Sequence, residues 1–501
     1  MIEETNVATR VVKNSFFLYL TTVMDRLAEL ALFFFMARSL GPAFVGDYKT
    51  VVMYLLIFQN LANYGLTQLV MREVAVLRNR QETSALLMNY GFASLWIALG
   101  LMALMNVTGR LIFYSGEVTL GIYLVSLALL PSAWRRVAES TISGMQSMEY
   151  ITIVSSLGSV FRLVLSALLL WRGGGLMAIL AVLVITQFAV IPAYIYVINR
   201  FLAPVRLRPD FSYVRRMAKQ IGIFLVMGIL LAGVGNQLAV VMIRKMTTAE
   251  QAGLYTAAYT FVQTIILLRP AILQAVFPSM SVLFRNSLPK FQTLTEDLLQ
   301  IFMIALLPIP LLTIILAKPL MPLLLGESFV DSAITLQVLI WLILPAFIHG
   351  TLSPALVAGN QERANTWIAG FSMVVNILLN LAFIPIWGAT GSALASVLAM
   401  TFAAAYSYVV VVARLFPLRW REILGKPLLC AAGASLAAYI TGRITPVRYV
   451  SLWASILVLC AIYVLLLFCT KAIPPRLIEL LKLFGKRWRS ARGRHEEAKV
   501  T

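Results

Sequence analysis

Apolar runs of about twenty residues, the length a helix needs to cross a bilayer, recur along this chain from Asn14 to Thr470. Windows of that size give fourteen spans, at 14–37, 46–70, 84–106, 118–144, 150–171, 176–198, 217–243, 253–284, 293–316, 333–358, 364–387, 391–413, 424–443 and 449–470. The fourth contains Pro131, Arg135, Arg136 and Glu139, and the eighth carries Pro270 and Pro278, so these two are the least regular. Hydrophobic residues make up 60% of the chain, too many for a water-soluble surface. No loop is long enough to hold a folded domain: even Arg200 to Lys219 is only about twenty residues, the length of a single span. Function therefore has to reside among the spans.

The spans are written twice. With a shift of 207, Lys245 falls on Arg38, Gly253 on Gly46 and Tyr255 on Tyr48. With a shift of 215, Gly359-Asn360-Gln361 falls on Gly144-Met145-Gln146, Gly388 on Gly173 and Ala393 on Ala178. Spans one to six thus echo seven to twelve, with two left over. Doubled six-helix bundles are a transporter device, because one bundle can rock against the other about a site at the midplane. The expected fold is an all-α polytopic membrane protein of about fourteen transmembrane helices, two pseudo-repeated six-helix bundles plus two C-terminal helices, with a central cavity. The divisions are an N-terminal lobe at 1–200, a linker at 201–216, a C-terminal lobe at 217–414, spans thirteen and fourteen within 415–470, and a basic tail at 471–501.

Charge gives the orientation. If residues at span ends are counted with the adjoining loops, 27 Lys and Arg lie on the side of the N-terminus, 9 on the opposite side and 5 inside spans, together the 41 of a chain with formal net charge +20. The positive-inside rule then puts both termini in the cytoplasm of a cell membrane. The first run is too long for a signal peptide and contains Asp25, Arg26 and Glu29, so no cleaved leader is expected. The tail reads as an amphipathic helix after Pro475 and a basic run near Trp488, suited to lying on anionic lipid.

Several function classes are excluded. There is no phosphate-binding glycine loop followed by Lys-Ser/Thr, no dinucleotide fingerprint and no HExxH. Two histidines, His349 and His495, and three cysteines in the last two spans, Cys430, Cys460 and Cys469, make no metal site. Neither a cofactor nor a nucleic-acid partner is expected.

The segments RSLGPAFVGDY, NYGLTQLVMREVA, AGLYTAAYTFVQ, VFPSMSVL, VAGNQERA and NILLNLAFIPIWGATGSALAS, in that order over Lys13 to Arg414, resemble the polysaccharide exporter branch of the multidrug/oligosaccharidyl-lipid/polysaccharide flippase superfamily. The resemblance implies a two-lobed bundle of twelve to fourteen helices that moves a polyprenyl-pyrophosphate-linked sugar repeat unit from the inner to the outer leaflet. By the same resemblance, spans thirteen and fourteen would help to hold the polyprenyl tail, as in lipid II flippases. Lipid II transport and drug-cation antiport within the superfamily are the alternatives. A polyprenyl-dependent glycosyltransferase or polymerase is disfavoured, because the largest loop opposite the termini, Ala317 to Ser332, offers only Glu327 and Asp331 as acids.

Ionisable residues inside a span are costly and are functional candidates by default. Asp25, Arg26 and Glu29 lie near the middle of span one, where either acid could pair with Arg26 or with a partner on another helix. Arg269 has no acid in its own span and precedes Pro270; a cavity role and pairing with Asp25 or Glu29 are both open. Arg135, Arg136 and Glu139 can satisfy one another, and Arg162 stands alone in span five. The candidate pyrophosphate-binding residues are Arg26, Arg269, Arg162, Arg135 and Arg136, and the candidate ion-coupling or switching acids are Asp25, Glu29 and Glu139. Five arginines against three acids leave the interior net cationic, and guanidinium matches phosphate oxygens with a planar fork of donors. His349 reads as a packing residue rather than a proton relay, and Asn60, Asn63, Asn236, Gln237, Asn376 and Asn380 as interhelical glue. Expected partners are a lipid-linked oligosaccharide, membrane lipids, polysaccharide-assembly proteins such as a polymerase, and an H⁺ or Na⁺ counter-ion.

Overall fold

The computed structural model describes residues 2–63, 66–77, 80–113, 116–202, 235–444, 448–470 and 472. The greater part of the expected seventh span, the linker at 203–216, Tyr64-Gly65 and the tail from 473 onward lie outside the described residues. The described chain is helical and forms two compact units. One comprises Met1–Thr260, Leu320–Thr335 and Ala369–Ser396; the other comprises Phe261–Pro319, Leu336–Ile368 and Val397–Thr501.

The first unit opens with α1, Ile2–Asn63, broken at Gly41, whose φ of 76° and ψ of −177° are open to glycine and closed to most other residues. Pro42 follows, where a missing N–H costs least. Then come α2 (Leu66–Val76), α3 (Arg80–Phe113), α4 (Glu117–Ser126), α5 (Leu129–Gly144), α6 (Met148–Trp171) and α7 (Leu176–Val197), closed by a π turn at Ile198–Leu202. α4 and α5 meet at a bend of 40° and are together long and apolar enough to cross a membrane. The core here is made by the inner faces of α2, α3, α5, α6 and α7, with Leu87, Tyr90, Ile142, Tyr194 and Ile198 fully buried. Later parts of the chain add α8 (Gly235–Met246) and the start of α9 (Ala249–Ile266).

The sequence repeat has a counterpart in the backbone. Gly46 of α1 and Gly253 of α9, which coincide under the 207 shift, lie at one crossing where backbone meets backbone. A Cβ on Gly46 would strike the carbonyl of Ala249, and a Cβ on Gly253 would strike the carbonyl of Pro42. Pro42 and Ala249 are themselves 207 apart, so the contact is reciprocal. The 215 shift has a local counterpart as well. After α5, Gln146 N donates to Ser143 O (3.0 Å) and Ser147 N to Ile142 O (3.2 Å); after α14 (Ile343–Ala358), Asn360 N donates to Val357 O (3.1 Å) and Gln361 N to Leu356 O (2.8 Å). Gln146 and Asn360 share a φ of 57°. The structural offset of these two turns is therefore 214, one residue from the sequence alignment.

The second unit holds α10 (Leu268–Asn286), α11 (Leu288–Leu306), most of α12 (Pro308–Leu325), part of α13 (Ser332–Leu339), α14, both ends of α15 (Glu362–Arg414), and the last two helices, α16 (Lys426–Ile444) and α17 (Arg448–Cys469). α16 and α17 pack on each other, and α17 is tied to α11 by Tyr463 OH donating to Ile304 O at 2.9 Å. The loop leading to α16 is clamped to α11 by Glu296. Its buried carboxylate takes the backbone N of Arg419 (3.2 Å), the Arg419 guanidinium (Nε 2.8 Å, Nη2 2.5 Å) and the Gln292 amide (3.0 Å). The three cysteines are free, with Cys430 buried.

Among the described residues, eight helices are long and apolar enough to cross a membrane, or nine with the bent α4–α5 pair. This count takes continuous helices once. Phe16–Ala62 and Glu362–Arg414, of 47 and 53 residues, each contain a positive-φ glycine, Gly41 and Gly388, at the places where the sequence divides spans one from two and eleven from twelve. Two boundaries differ from expectation. The eighth span is split at Leu267 into α9 and α10, and the expected loop from Ala317 to Ser332 is helical as far as Leu325. Lys318, Pro319 and Pro322 make that stretch look like a loop, yet α12 carries all three.

The crossing makes a prediction. Gly46→Ala and Gly253→Ala should each lower stability by about 2–3 kcal/mol through a forced backbone shift, read as a fall in melting temperature in detergent micelles. Gly100→Ala, where nothing lies within 4 Å of the added Cβ, should leave melting unchanged or raise it.

Candidate functional site

The charges of span one are not alone. Arg26 Nη1 donates to Glu29 Oε2 at 2.7 Å, as one turn of helix allows. The other oxygen, Oε1, takes Lys49 Nζ at 2.7 Å. Arg26 Nη2 also reaches Thr260 O at 3.5 Å, and Lys49 Nζ stands 6.0 Å from the centre of the Phe33 ring. One carboxylate thus bridges two cations. Lys49 is the member that sequence reasoning missed. It stands three residues into the expected second span, where it counts as a span end; because α1 runs on from Gly41, it is buried instead.

Asp25, one residue before Arg26, points elsewhere and accepts from Ser159 Oγ at 2.5 Å. A second network fills the space between α5, α6 and α7. Glu139 takes Arg135 at 3.3 Å, Arg136 at 3.6 Å and the Tyr194 hydroxyl at 3.0 Å, and Ser155 Oγ is 2.9 Å from the same hydroxyl. Arg135 and Arg136 therefore share the one carboxylate of their own helix, an arrangement open to them from their spacing. Asp25 is within electrostatic reach of Arg135, and Arg162 of Glu29. Asp25, Arg26, Glu29 and Lys49 of α1 and Arg135, Arg136 and Glu139 of α5, with Arg162 of α6, are thus brought into two adjoining clusters of the first unit.

Arg269 belongs to the second unit, at the start of α10. Its Nη1 donates to the backbone carbonyl of Ala346 in α14, and its side chain lies over Gly350, where a Cβ would collide with it. His349 Nδ1 is 2.8 Å from Ser407 Oγ and within electrostatic reach of Arg269. Arg269 thus meets a neutral acceptor, while Asp25 and Glu29 have the partners given above.

The asparagines behave as glue where they are described. Asn380 Nδ2 donates to Asn376 O (2.8 Å) and Oδ1 (3.1 Å), and Ser392 Oγ donates to Asn380 Oδ1 at 2.6 Å, joining the halves of α15. The side chains of Asn63 and Asn236 lie outside the described residues. Around the glycine crossing, Arg244 Nε donates to Asp47 Oδ1 (2.5 Å) and Arg38 Nη2 to Leu323 O (2.8 Å), so the loops after spans one, seven and nine are tied together within the first unit.

Residues 11–284 match the family model described as "Polysaccharide biosynthesis protein", which is more than half of the chain. The chain belongs to that family. No curated protein matches it. Among solved structures, a lipid II flippase, MurJ, in an inward closed conformation is similar with a TM-score of 0.73 at 14% identity, covering 91% of this chain and 99% of that one. An inward-facing multidrug resistance transporter of the MATE family gives 0.65 at 15% identity, over 78% of this chain and 94% of that one. A transporter from Pyrococcus furiosus Vc1, reported with a binding pocket of reversed polarity, gives 0.56 at 14% identity, over 81% and 95%. The fold is thus that of the multidrug/oligosaccharidyl-lipid/polysaccharide superfamily, and the polysaccharide branch fits the family.

Removing Glu139 would strand Arg135 and Tyr194 in the packed interior. Glu139→Ala is expected to cost about 3–5 kcal/mol, whereas Arg136→Ala, at a half-exposed position, should change stability by no more than about 0.5 kcal/mol. Thermal unfolding of the purified protein in detergent would rank the two.

Proposed function

We propose that this protein is a flippase that carries a polyprenyl-pyrophosphate-linked oligosaccharide repeat unit from the cytoplasmic to the outer leaflet for cell-surface polysaccharide synthesis. The observation that carries this reading is the bridge at Glu29. Two buried cations, Arg26 and Lys49, share one carboxylate, so the cluster keeps a net positive charge inside a membrane helix pair. With buried residues near span ends included, the cations inside spans are Arg26, Lys49, Arg135, Arg136, Arg162 and Arg269, against Asp25, Glu29, Glu139 and Glu296. A surplus of that sign suits a pyrophosphate and opposes a drug cation. Membership of the polysaccharide biosynthesis family supports the same substrate class.

On this reading, Arg26 and Lys49, with Arg162 nearby, hold the pyrophosphate headgroup. Arg269, whose guanidinium donates to the Ala346 carbonyl, is the candidate phosphate contact of the second unit. The lobes at 1–200 and 217–414 exchange access by rocking, both termini are cytoplasmic, and spans thirteen and fourteen lie beside the polyprenyl chain. With the cell interior negative, each net negative charge carried outward is favoured by about 2.3 kcal/mol per 100 mV, so the membrane potential can set the direction. Asp25 is the candidate for coupling H⁺ or Na⁺, since its partner is a neutral hydroxyl. Lipid II transport is the second reading, favoured by a likeness that extends over 91% of the chain.

The test is flipping of a fluorescent polyprenyl-pyrophosphate oligosaccharide in proteoliposomes under an imposed potential. Arg26→Ala and Arg269→Ala should each reduce the rate by at least about tenfold, as expected for loss of a charge-assisted phosphate contact, compared at matched protein level and with folding retained. Export of organic cations with no flipping would replace this reading with drug antiport.

A further inference from the structure

Glu29 is placed oddly for a residue whose only task is to neutralise Arg26. A carboxylate three residues along the same helix satisfies an arginine locally, yet here the second oxygen is committed to Lys49, twenty residues away on the far side of the Gly41 break. The gradient of exposure is also inverted relative to a buried counter-ion. The Arg26 and Lys49 side chains are 13% and 6% exposed, whereas Glu29 is 39% exposed. The carboxylate is the most exposed member of the three. Each oxygen is 2.7 Å from one cation, which is how a two-oxygen face of a phosphate would be held.

We infer that Glu29 is a built-in occupant of an anion site, a carboxylate that holds the Arg26–Lys49 pair while the site is empty and is displaced when a headgroup with at least two anionic oxygens arrives. The inference rests on the pyrophosphate reading given above. Two cations this close and this buried repel each other and lack water, so an empty site needs an internal anion. An incoming monoanion offers no more charge than Glu29 already supplies and must displace a tethered competitor. A pyrophosphate offers more charge and more oxygens, and can win. Glu29 thereby sets a threshold that selects multiply charged headgroups from the singly charged phosphodiesters of bulk lipid, and it recloses the pair once the substrate has left. Phe33, one turn beyond Glu29 and beneath Lys49, leaves the lysine an aromatic face to rest on when the carboxylate moves away.

The experiment is a calorimetric titration of the full-length protein in detergent with inorganic pyrophosphate and, in parallel, with a short-chain polyprenyl pyrophosphate. Glu29→Gln keeps the shape and removes the competing charge, so it should bind both probes about tenfold more tightly, while Glu29→Asp stays near the unmodified protein and Arg26→Ala and Lys49→Met bind weakly. In the flipping assay Glu29→Gln should lower the half-saturating concentration and also the maximal rate, because release becomes slow. Binding that is lost in Arg26→Ala but unchanged or weakened in Glu29→Gln would overturn the displaceable-carboxylate inference and leave the substrate reading intact. Tightening with the inorganic ion alone would overturn the lipid-linked assignment. Binding by no variant would sink the substrate reading and this one with it. A second measurement needs no variant: pyrophosphate should increase labelling of Glu29 by a water-soluble carbodiimide in the unmodified protein, and protection of Glu29 would count against displacement.

Discussion

An ionised side chain inside hydrocarbon has to be paired, wetted or discharged, and the first half of this chain is arranged around that constraint. Glu29 serves two cations and Glu139 serves two more together with a tyrosine. Each acid gathers elements that sequence alone keeps apart: the two halves of α1 in one case, α5 and α7 in the other. These pairings fix where the helices sit about their own axes, since a rotation that turned Arg26 or Arg135 away from its carboxylate would leave a charge in an apolar setting. Arg269 is handled differently, with a backbone carbonyl in place of an acid. A neutral acceptor leaves the whole positive charge available to a ligand.

Scaffold and charge follow different rules. The glycines that allow backbones to touch, and the turns at Gln146 and Asn360, recur in both halves. The ionisable residues do not. Under the 207 shift Arg26 falls on Gly233, Glu29 on Asn236 and Lys49 on Thr256, while Arg269 falls on Ala62. A requirement of the fold alone would be met in both copies. Residues that serve one asymmetric ligand need be present only once, at the place where each part of that ligand lies.

Much of this was legible beforehand, and the parts that were not share a physical cause. The breaks between spans one and two and between eleven and twelve could be read because Gly41-Pro42 and Gly388 are local signals of a turn. The Arg135–Glu139 pair could be read because a separation of four residues places both on one face. Lys49 could not, since its burial depends on α1 continuing through the break, and its partner lies twenty residues away on the far side of that break. Nor could the extension of α12 to Leu325, where prolines that usually end helices lie within one. The partners of Asp25, Glu139 and Arg269 beyond their own helices, Ser159, Tyr194 and Ala346, carry no charge, and a neutral partner leaves no mark in a search for opposite signs.

At the glycine crossing, Gly46 meets the carbonyl of Ala249 and Gly253 meets the carbonyl of Pro42, each residue touching the counterpart of the other's neighbour. Two identical subunits related by a twofold axis make contacts of this self-complementary kind. The crossing is thus an isologous interface closed within a single polypeptide. A chain of half this length, bearing one copy of the Pro42 to Gly46 segment, would present both surfaces of the joint and could assemble with itself. Within one polypeptide the two copies of the segment need not stay identical, so the reciprocal joint at Gly46 and Gly253 coexists with charged residues that occur in one copy only.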